Sequence, residues 1–508
     1  MGSPASPLTA DAPQASGYGR LRHWTLFFAL IITLYSALVP VGRMGMLFEL
    51  SYNEGWNVFN AQRVVEHQQL YPAAASWTAN NYPALSFWIL GALHSITHEY
   101  LFTARAVSLL SLLLVASMLG WIAVRLGASR FAALLTTLFC LGLFCTACES
   151  YVGMDDPQML AHALMLSGLC VYLRNRTDRF NLLLAALLFV AGGCVKHSLV
   201  DLPLAVGLDL LLRNRAKAAW FALSGIGIAI LAVWANIHFG GPYFLKLLLA
   251  PRQYSSTQFF RSLQDTYGQM LVPTLIGMLM AVRFRHDAKR RFLSLWFLVA
   301  AALGAYFGGG VGVTINANFD SLLAMTLLLG FFLDEQLQLS ESGNAKWWNR
   351  WTAPALFAWL VIPLLLSDNA NPVSRLQEDT ASAKRFHQEV EVLRAQPGPV
   401  LCESLLRCYY ANKPFLYDGF NATRQVEFGS LHESDVLDPI RAGKYGAIEL
   451  NKPLENTYRY RRFTPRMLRA IGQSYVVALE DDDARICVPE SATDSLPQKA
   501  CTIPQPRD

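Results

Sequence analysis

Residues 101–147 read LFTARAVSLLSLLLVASMLGWIAVRLGASRFAALLTTLFCLGLFCTA. Two near-continuous apolar runs, 103–124 and 131–147, are split by a short turn carrying Arg125 and Arg130. An apolar run approaching roughly 20 residues is long enough for a helix to cross the hydrocarbon core of a bilayer. Two such runs joined through a basic turn are the unit from which the rest of the chain can be read.

Outward from that unit the pattern repeats. The apolar stretches are 24–42, 103–124, 131–147, 158–173, 180–195, 198–212, 217–238, 267–283, 292–308, 318–335 and 351–367, which predicts about eleven transmembrane spans. With the N-terminus in the cytoplasm, after Arg20 and Arg22, the even connections carry most of the basic residues. These are Arg125 and Arg130; Arg174, Arg176 and Arg179; Arg213, Arg215 and Lys217; Arg283, Arg285, Lys289, Arg290 and Arg291; and Lys346 and Arg350. The odd connections are poorer in Lys and Arg for their length. An excess of Lys and Arg on the cytoplasmic side supports this orientation. Residues 83–97, PALSFWILGALHSIT, are apolar but too short for a full crossing. Counting them as a span would send every later basic cluster outside. They are expected to form an interfacial or re-entrant helix opened by Pro83. Glu54, Asp155, Asp156, Lys196 and everything after residue 368 then lie at the outer face.

The composition, 53% hydrophobic and 16% charged, is that of a polytopic membrane protein with a soluble appendix. The net charge of +5 sits mainly on short loops rather than on one domain, so nucleic acid is not an expected partner. Residues 1–20 are rich in Ala, Pro, Ser and Gly and are expected to be a disordered cytoplasmic N-terminus. The first apolar run reads as an anchor, not a cleaved signal. The membrane domain is expected over 21–368, with a long first outer loop at 43–102. The tail, 369–508, shows a helical stretch at 375–395, then strand-like runs PVLCES, KPFLYDG, YGAIEL and YVVALED, which predicts a small extracytoplasmic α/β domain, loose from about Pro489. Its four cysteines suit two disulfides in an oxidising compartment, with Cys402–Cys408 and Cys487–Cys501 favoured among the three possible pairings.

Four motifs carry candidate chemistry. In Tyr52-Asn53-Glu54-Gly55-Trp56, followed by Asn80-Asn81-Tyr82-Pro83, a carboxylate among aromatics at the membrane surface suits a general base facing a sugar or lipid headgroup. Asn53, Trp56 and Tyr82 are substrate-contact candidates there, and an ordinary aromatic interfacial loop is the competing explanation. In Gly153-Met154-Asp155-Asp156-Pro157, two adjacent acids could hold a divalent metal ion or orient an acceptor; capping of the next helix by Asp156 is compatible with either. Lys196-His197 stands at the outer end of two spans, where a lysine could hold a phosphate or simply snorkel. Arg252 and Arg261, in the outer segment 239–266, could assist it. Asn318, in Asn316-Ala317-Asn318-Phe319-Asp320, could bind substrate or cap a helix. No Walker loop, GxGxxG context or HExxH motif appears.

The succession YNEGWNVFNAQ (52–62), NNYPALSFWILGAL (80–93), TARAVSLLSLLL (103–114), GMDDPQMLAHAL (153–164) and CVKHSLVDLPLAV (194–206) resembles the GT-C glycosyltransferases. The likeness covers roughly residues 20–335 and is similar to bacterial protein O-mannosyltransferase and lipid A aminoarabinose transferase-like proteins. It implies a polyprenyl-phosphate sugar donor, a lipid, glycan or protein acceptor, and inversion at the sugar carbon. It also implies a first-loop acid as base or acceptor-orienting group and a second acid at Asp155 or Asp156. The usual first-loop pair is Asp-Glu; here the positions hold Asn53 and Glu54. The expected activity is therefore sugar transfer in the bacterial cytoplasmic membrane. A transporter of a lipid-linked sugar is the alternative, and it should show midplane polar breaks and related halves. A membrane scaffold or sensor working through its tail is a third reading.

Overall fold

The computed structural model describes residues 14–250, 252–341, 346–366, 371–459, 461–492 and 499–503. The expected disorder of the N-terminus lies outside the described residues up to 13; from Gln14 the chain is already helical. After α1 (Gln14–Gly42), segment 43–102 folds into α2 (Tyr52–Val65) and α3 (Leu85–Thr97). Six helices follow with short connections: α4 (Leu101–Leu126), α5 (Arg130–Ala147), α6 (Gln158–Arg174), α7 (Arg179–Val195), α8 (Asp201–Arg213) and α9 (Arg215–Ala235). The next long connection holds α10 (Phe244–Leu248) and α11 (Ser256–Leu263). The bundle closes with α12 (Leu271–Phe284), α13 (Arg291–Gly308), α14 (Phe319–Glu341) and α15 (Trp347–Leu365).

Each predicted apolar stretch lies on a helix, and the chain is a multi-pass membrane protein. By length and hydropathy, six helices among the described residues suffice to cross a membrane. A seventh is added if Ser256–Gly268 and Leu271–Phe284, bent by 87°, form one broken span. The stretches on α6, α7, α8 and α15 do not reach that standard alone, so length does not carry the count of eleven.

The basic turns work as helix starts. Ser129, Asp178 and Asn214 accept hydrogen bonds from the backbone N–H groups of Ala132, Asn181 and Lys217, capping α5, α7 and α9. Close helix approach uses small residues, as expected without a hydrophobic drive between helices in lipid. A Cβ on Gly168 of α6 would lie 3.1 Å from the Ala185 oxygen on α7, and one on Gly192 of α7 would lie 3.2 Å from the Ala161 oxygen on α6.

The tail opens on α16 (Pro372–Ala395), capped by Asn371. It continues as β1 (Val400–Cys402), α17 (Leu405–Tyr410), α18 (Gly419–Glu427), β2 (Ala447–Asn451), β3 (Tyr475–Glu480) and β4 (Ala484–Pro489), with short helices between. The sheet order is β1-β2-β4-β3, with β1 parallel to β2 and the other pairs antiparallel. KPFLYDG, expected as a strand, runs irregularly into α18 because Pro414 removes a donor and Asp418 caps the helix, accepting from the Phe420 and Asn421 N–H groups. The unexpected strand β4 is central, paired on both sides. Both favoured disulfides are formed, Cys402–Cys408 and Cys487–Cys501. The second ties Cys501 to β4, and Ala500 bridges Val476, so residues 499–503 are not loose.

Candidate active site

The helix α2 carries the first cluster inward. Gly55 is required there by the tail: a Cβ would lie 2.2 Å from the Leu406 backbone nitrogen on α17. Beside it, Glu54 is fully buried and its carboxylate is fully occupied. Arg105 donates to it from Nε and Nη2, each at 2.7 Å. The backbone N–H groups of Leu50 and Asp155 donate at 2.7 and 3.0 Å. The same guanidinium donates to the carbonyls of Met44, Met46 and Phe48 at 3.2, 2.6 and 2.6 Å. One ion pair thus pins the 43–50 segment, α2, α4 and the 148–157 turn together. Sequence reading missed Arg105. A charged residue at the head of an apolar stretch was the signal available.

The 148–157 turn bends at Gly153, whose φ of +63° suits glycine. Asp156 Oδ1 accepts from the Gln158 N–H at 2.8 Å, so it caps α6 across Pro157. Its Oδ2 accepts from Asn53 Nδ2 at 3.1 Å. Asp155 is buried differently. It lines a narrow cavity with Asn57, Ser86 and Ser108, and its Oδ2 has no hydrogen-bond partner. Burial, then the charges of Glu54 and Asp156, push its carboxyl well above the usual carboxylate range.

Lys196 follows α7. Its ammonium donates to the Tyr82 hydroxyl at 2.8 Å and lies 4.3 Å from the ring centroid. Burial alone would lower its pKa; the Tyr82 oxygen and Asp156 outweigh burial, with Arg252 opposing, and the pKa is raised. Lys196 is therefore held as a cation. Trp56 packs edge-on against Tyr82, centroids 5.1 Å apart, and against Phe87. His197 also meets Tyr82 by its edge; burial, then the Lys196 and Arg252 charges, lowers it to about 4, which keeps it neutral.

Thus Asn53, Asp156, Trp56, Tyr82, Lys196 and His197 gather in one place, with Arg252 exposed within electrostatic reach. Two other candidates stand apart. Arg261 is exposed on α11 and forms no side-chain hydrogen bond or ion pair among the described residues. Asn318 is buried, donating to Ser262 and Thr266 at 3.3 and 3.0 Å, which spends its amide on helix packing. The tail meets the outer segments next to the cluster. The Tyr52 hydroxyl donates to Asp418, Arg462 stacks 3.7 Å over the Tyr52 ring, and a Cβ on Gly312 would run into the Phe420 ring at 2.3 Å.

Among the described residues, each Glu54 oxygen accepts two hydrogen bonds, each Asp156 oxygen accepts one, and the Asp155 carboxylate oxygens accept none. Among the described residues no group of three or more His, Cys, Asp or Glu side chains is placed to hold a metal.

No family model matches the chain, and no curated protein matches it in sequence. Solved structures do match its fold. ArnT from Cupriavidus metallidurans, a lipid A aminoarabinose transferase, superposes in its apo state with a TM-score of 0.56 at 13% identity, over 97% of this chain and 100% of that one. The same protein bound to undecaprenyl phosphate gives 0.56 over 95% and 99%. The Archaeoglobus fulgidus oligosaccharyltransferase tethered to an acceptor peptide gives 0.52 at 11% identity, over 91% and 74%. The fold is that of the GT-C glycosyltransferases. Nearly the whole chain, tail included, takes part in this likeness.

Proposed function

We propose that this protein is a membrane glycosyltransferase that moves a hexosyl or pentosyl group from a polyprenyl-phosphate donor to a lipid, glycan or protein acceptor at the outer face of a bacterial cytoplasmic membrane. The observation that carries the reading is the buried Lys196–Tyr82 pair within electrostatic reach of Asp156, in a fold like that of the GT-C enzymes. A buried cation and a carboxylate within electrostatic reach of it meet the two needs of such a transfer. The cation stabilises the leaving phosphate, and the carboxylate takes the acceptor proton. The basic-loop alternation and the paired tail cysteines support an N-terminus inside, a tail outside and eleven crossings.

In the proposed reaction the acceptor oxygen attacks the anomeric carbon as its bond to the phosphate oxygen breaks. The configuration inverts. The phosphate leaves with the bonding pair, held by Lys196 with Arg252 nearby, and the acceptor proton passes to Asp156. Tyr82 fixes the ammonium, Trp56 and His197 pack against the Tyr82 ring, and the tail limits the entry of water that would hydrolyse the donor. Glu54 acts through Arg105 as a positioning residue. The amide at Asn53 fits this arrangement: an aspartate there would set two carboxylates about 3 Å apart, each opposing ionisation of the other. No step needs a metal.

The test is transfer of labelled sugar from a polyprenyl-phosphate donor in proteoliposomes. Asp156→Asn keeps a side-chain oxygen for capping α6, so expression should hold. Turnover should fall by roughly 10²–10⁴, as for lost general-base catalysis. Turnover near that of the parent would remove Asp156 from the mechanism.

A further inference from the structure

At the other end of the bundle, the ends of α4, α6 and α8 and the turn after α12 enclose a second pocket. It is lined by Arg125, Arg176, Arg213 and Lys289 with Leu126, Leu173 and Ala288. Four cations face one concavity and no acid lines it. The neighbouring acids are already committed. Asp209 lies beneath, fully buried, and holds Arg213, Arg176 and Arg291 at 2.8, 3.4 and 3.7 Å. Asp287 spends Oδ1 on the N–H groups of Lys289 and Arg290. One buried carboxylate thus orders three arginines without neutralising the pocket.

The cations are also fixed in place. Arg125 donates to the carbonyls of Leu173 and Arg174 at 3.2 and 2.8 Å, Arg176 donates to that of Lys289 at 3.1 Å, and Arg213 donates to that of Ala288. The Arg125 bonds cap the end of α6, the other two reach the turn after α12, and together they hold the guanidinium groups in position. The Lys289 ammonium forms no side-chain hydrogen bond or ion pair among the described residues. The helix turns that carry these arginines also have exposed apolar residues: Trp121 and Val124 on α4 and Leu211 and Leu212 on α8. Along α4, Arg125 is about 30 Å from Arg105, so this pocket is separate from the donor site.

We propose that this pocket binds the phosphate headgroup of an anionic phospholipid, with the acyl chains over the exposed faces of α4 and α8. Basic pockets between helix ends recognise such headgroups by charge, and exposed apolar residues on the same helix turns suit a lipid better than a free anion. The site stands independently of the glycosyltransferase reading.

The test uses the purified full chain in a neutral detergent, with lipid binding followed by native mass spectrometry. The probes are phosphatidylglycerol, phosphatidylcholine and inorganic phosphate. Phosphatidylglycerol should bind at least about ten-fold more tightly than phosphatidylcholine, and less tightly as salt rises. Arg125→Gln with Lys289→Gln should weaken it roughly five-fold per charge removed. Lys289→Gln alone alters an exposed side chain and keeps the test open if the pair unfolds. Lys196→Ala should bind phosphatidylglycerol like the parent, which separates this site from the donor site. Equal binding of the two lipids, or parent-like binding by the Lys289 variant, would overturn the proposal. So would phosphate binding as tightly as the lipid.

Discussion

Replacing Glu54 by Gln separates two roles that a carboxylate at this position could play. Glu54 accepts four hydrogen bonds, two from a guanidinium that is itself buried. Gln keeps the shape but loses the charge, and its amide nitrogen faces donors. Removing one partner of a buried ion pair costs about 3–5 kcal/mol, since the other charge is left uncompensated. Arg105 retains three carbonyl acceptors, so the low end, about 3 kcal/mol, is expected here. Glu54→Gln should therefore lower the thermal unfolding midpoint clearly, and Arg105→Gln should do the same. The double variant should lose less than the sum of the two, with a coupling of about 1–3 kcal/mol. The assay pairs unfolding in detergent with sugar transfer per folded molecule. Suppose Glu54→Gln unfolds like the parent while turnover drops by roughly 10²–10⁴. Glu54 would then be the base and not a positioning residue, and the reasoning from its filled acceptors would be refuted.

Three further outcomes follow from the same geometry. Lys196→Ala should weaken donor-lipid binding, and Lys196→Arg should keep part of it because the charge remains; if both bind like the parent, Lys196 only snorkels. Glu49, at the loop–tail contact, is pushed up to about 8 by burial, with Arg407 and the Ser404 hydroxyl opposing. In the folded chain it keeps a proton that the unfolded chain loses near 4.5, so stability should fall as pH rises from about 4.5 to about 8. Glu49→Gln should flatten that slope in unfolding scans, and an unchanged slope would assign it to other groups. Gly55→Ala would drive a methyl group into α17 and should cost about 1–3 kcal/mol of tail docking, read as faster proteolysis of the tail; parent-like resistance would mean that the contact is soft.

The sequence by itself determined what depends on local pattern. Apolar runs separated by capped basic turns specify where helices begin and end, because hydropathy and capping act within a few residues. Asp156 before Pro157 capped the following helix for the same reason, while the four tail cysteines left three pairings open and the fold chose the favoured one. Tertiary structure decided what depends on meetings across the chain. Arg105 lies 51 residues from Glu54, and nothing local tells a carboxylate that will face solvent from one that will be sealed by a guanidinium and two backbone N–H groups. Asn318 and Asn53 look alike as exposed-loop amides, yet folding buries one in a helix contact and turns the other toward Asp156. β4 escaped notice because its place at the centre of the sheet comes from partners on both sides, not from alternation along its own residues. Local energies set the elements, but which charges lose water and which keep it is fixed only when distant segments close over them.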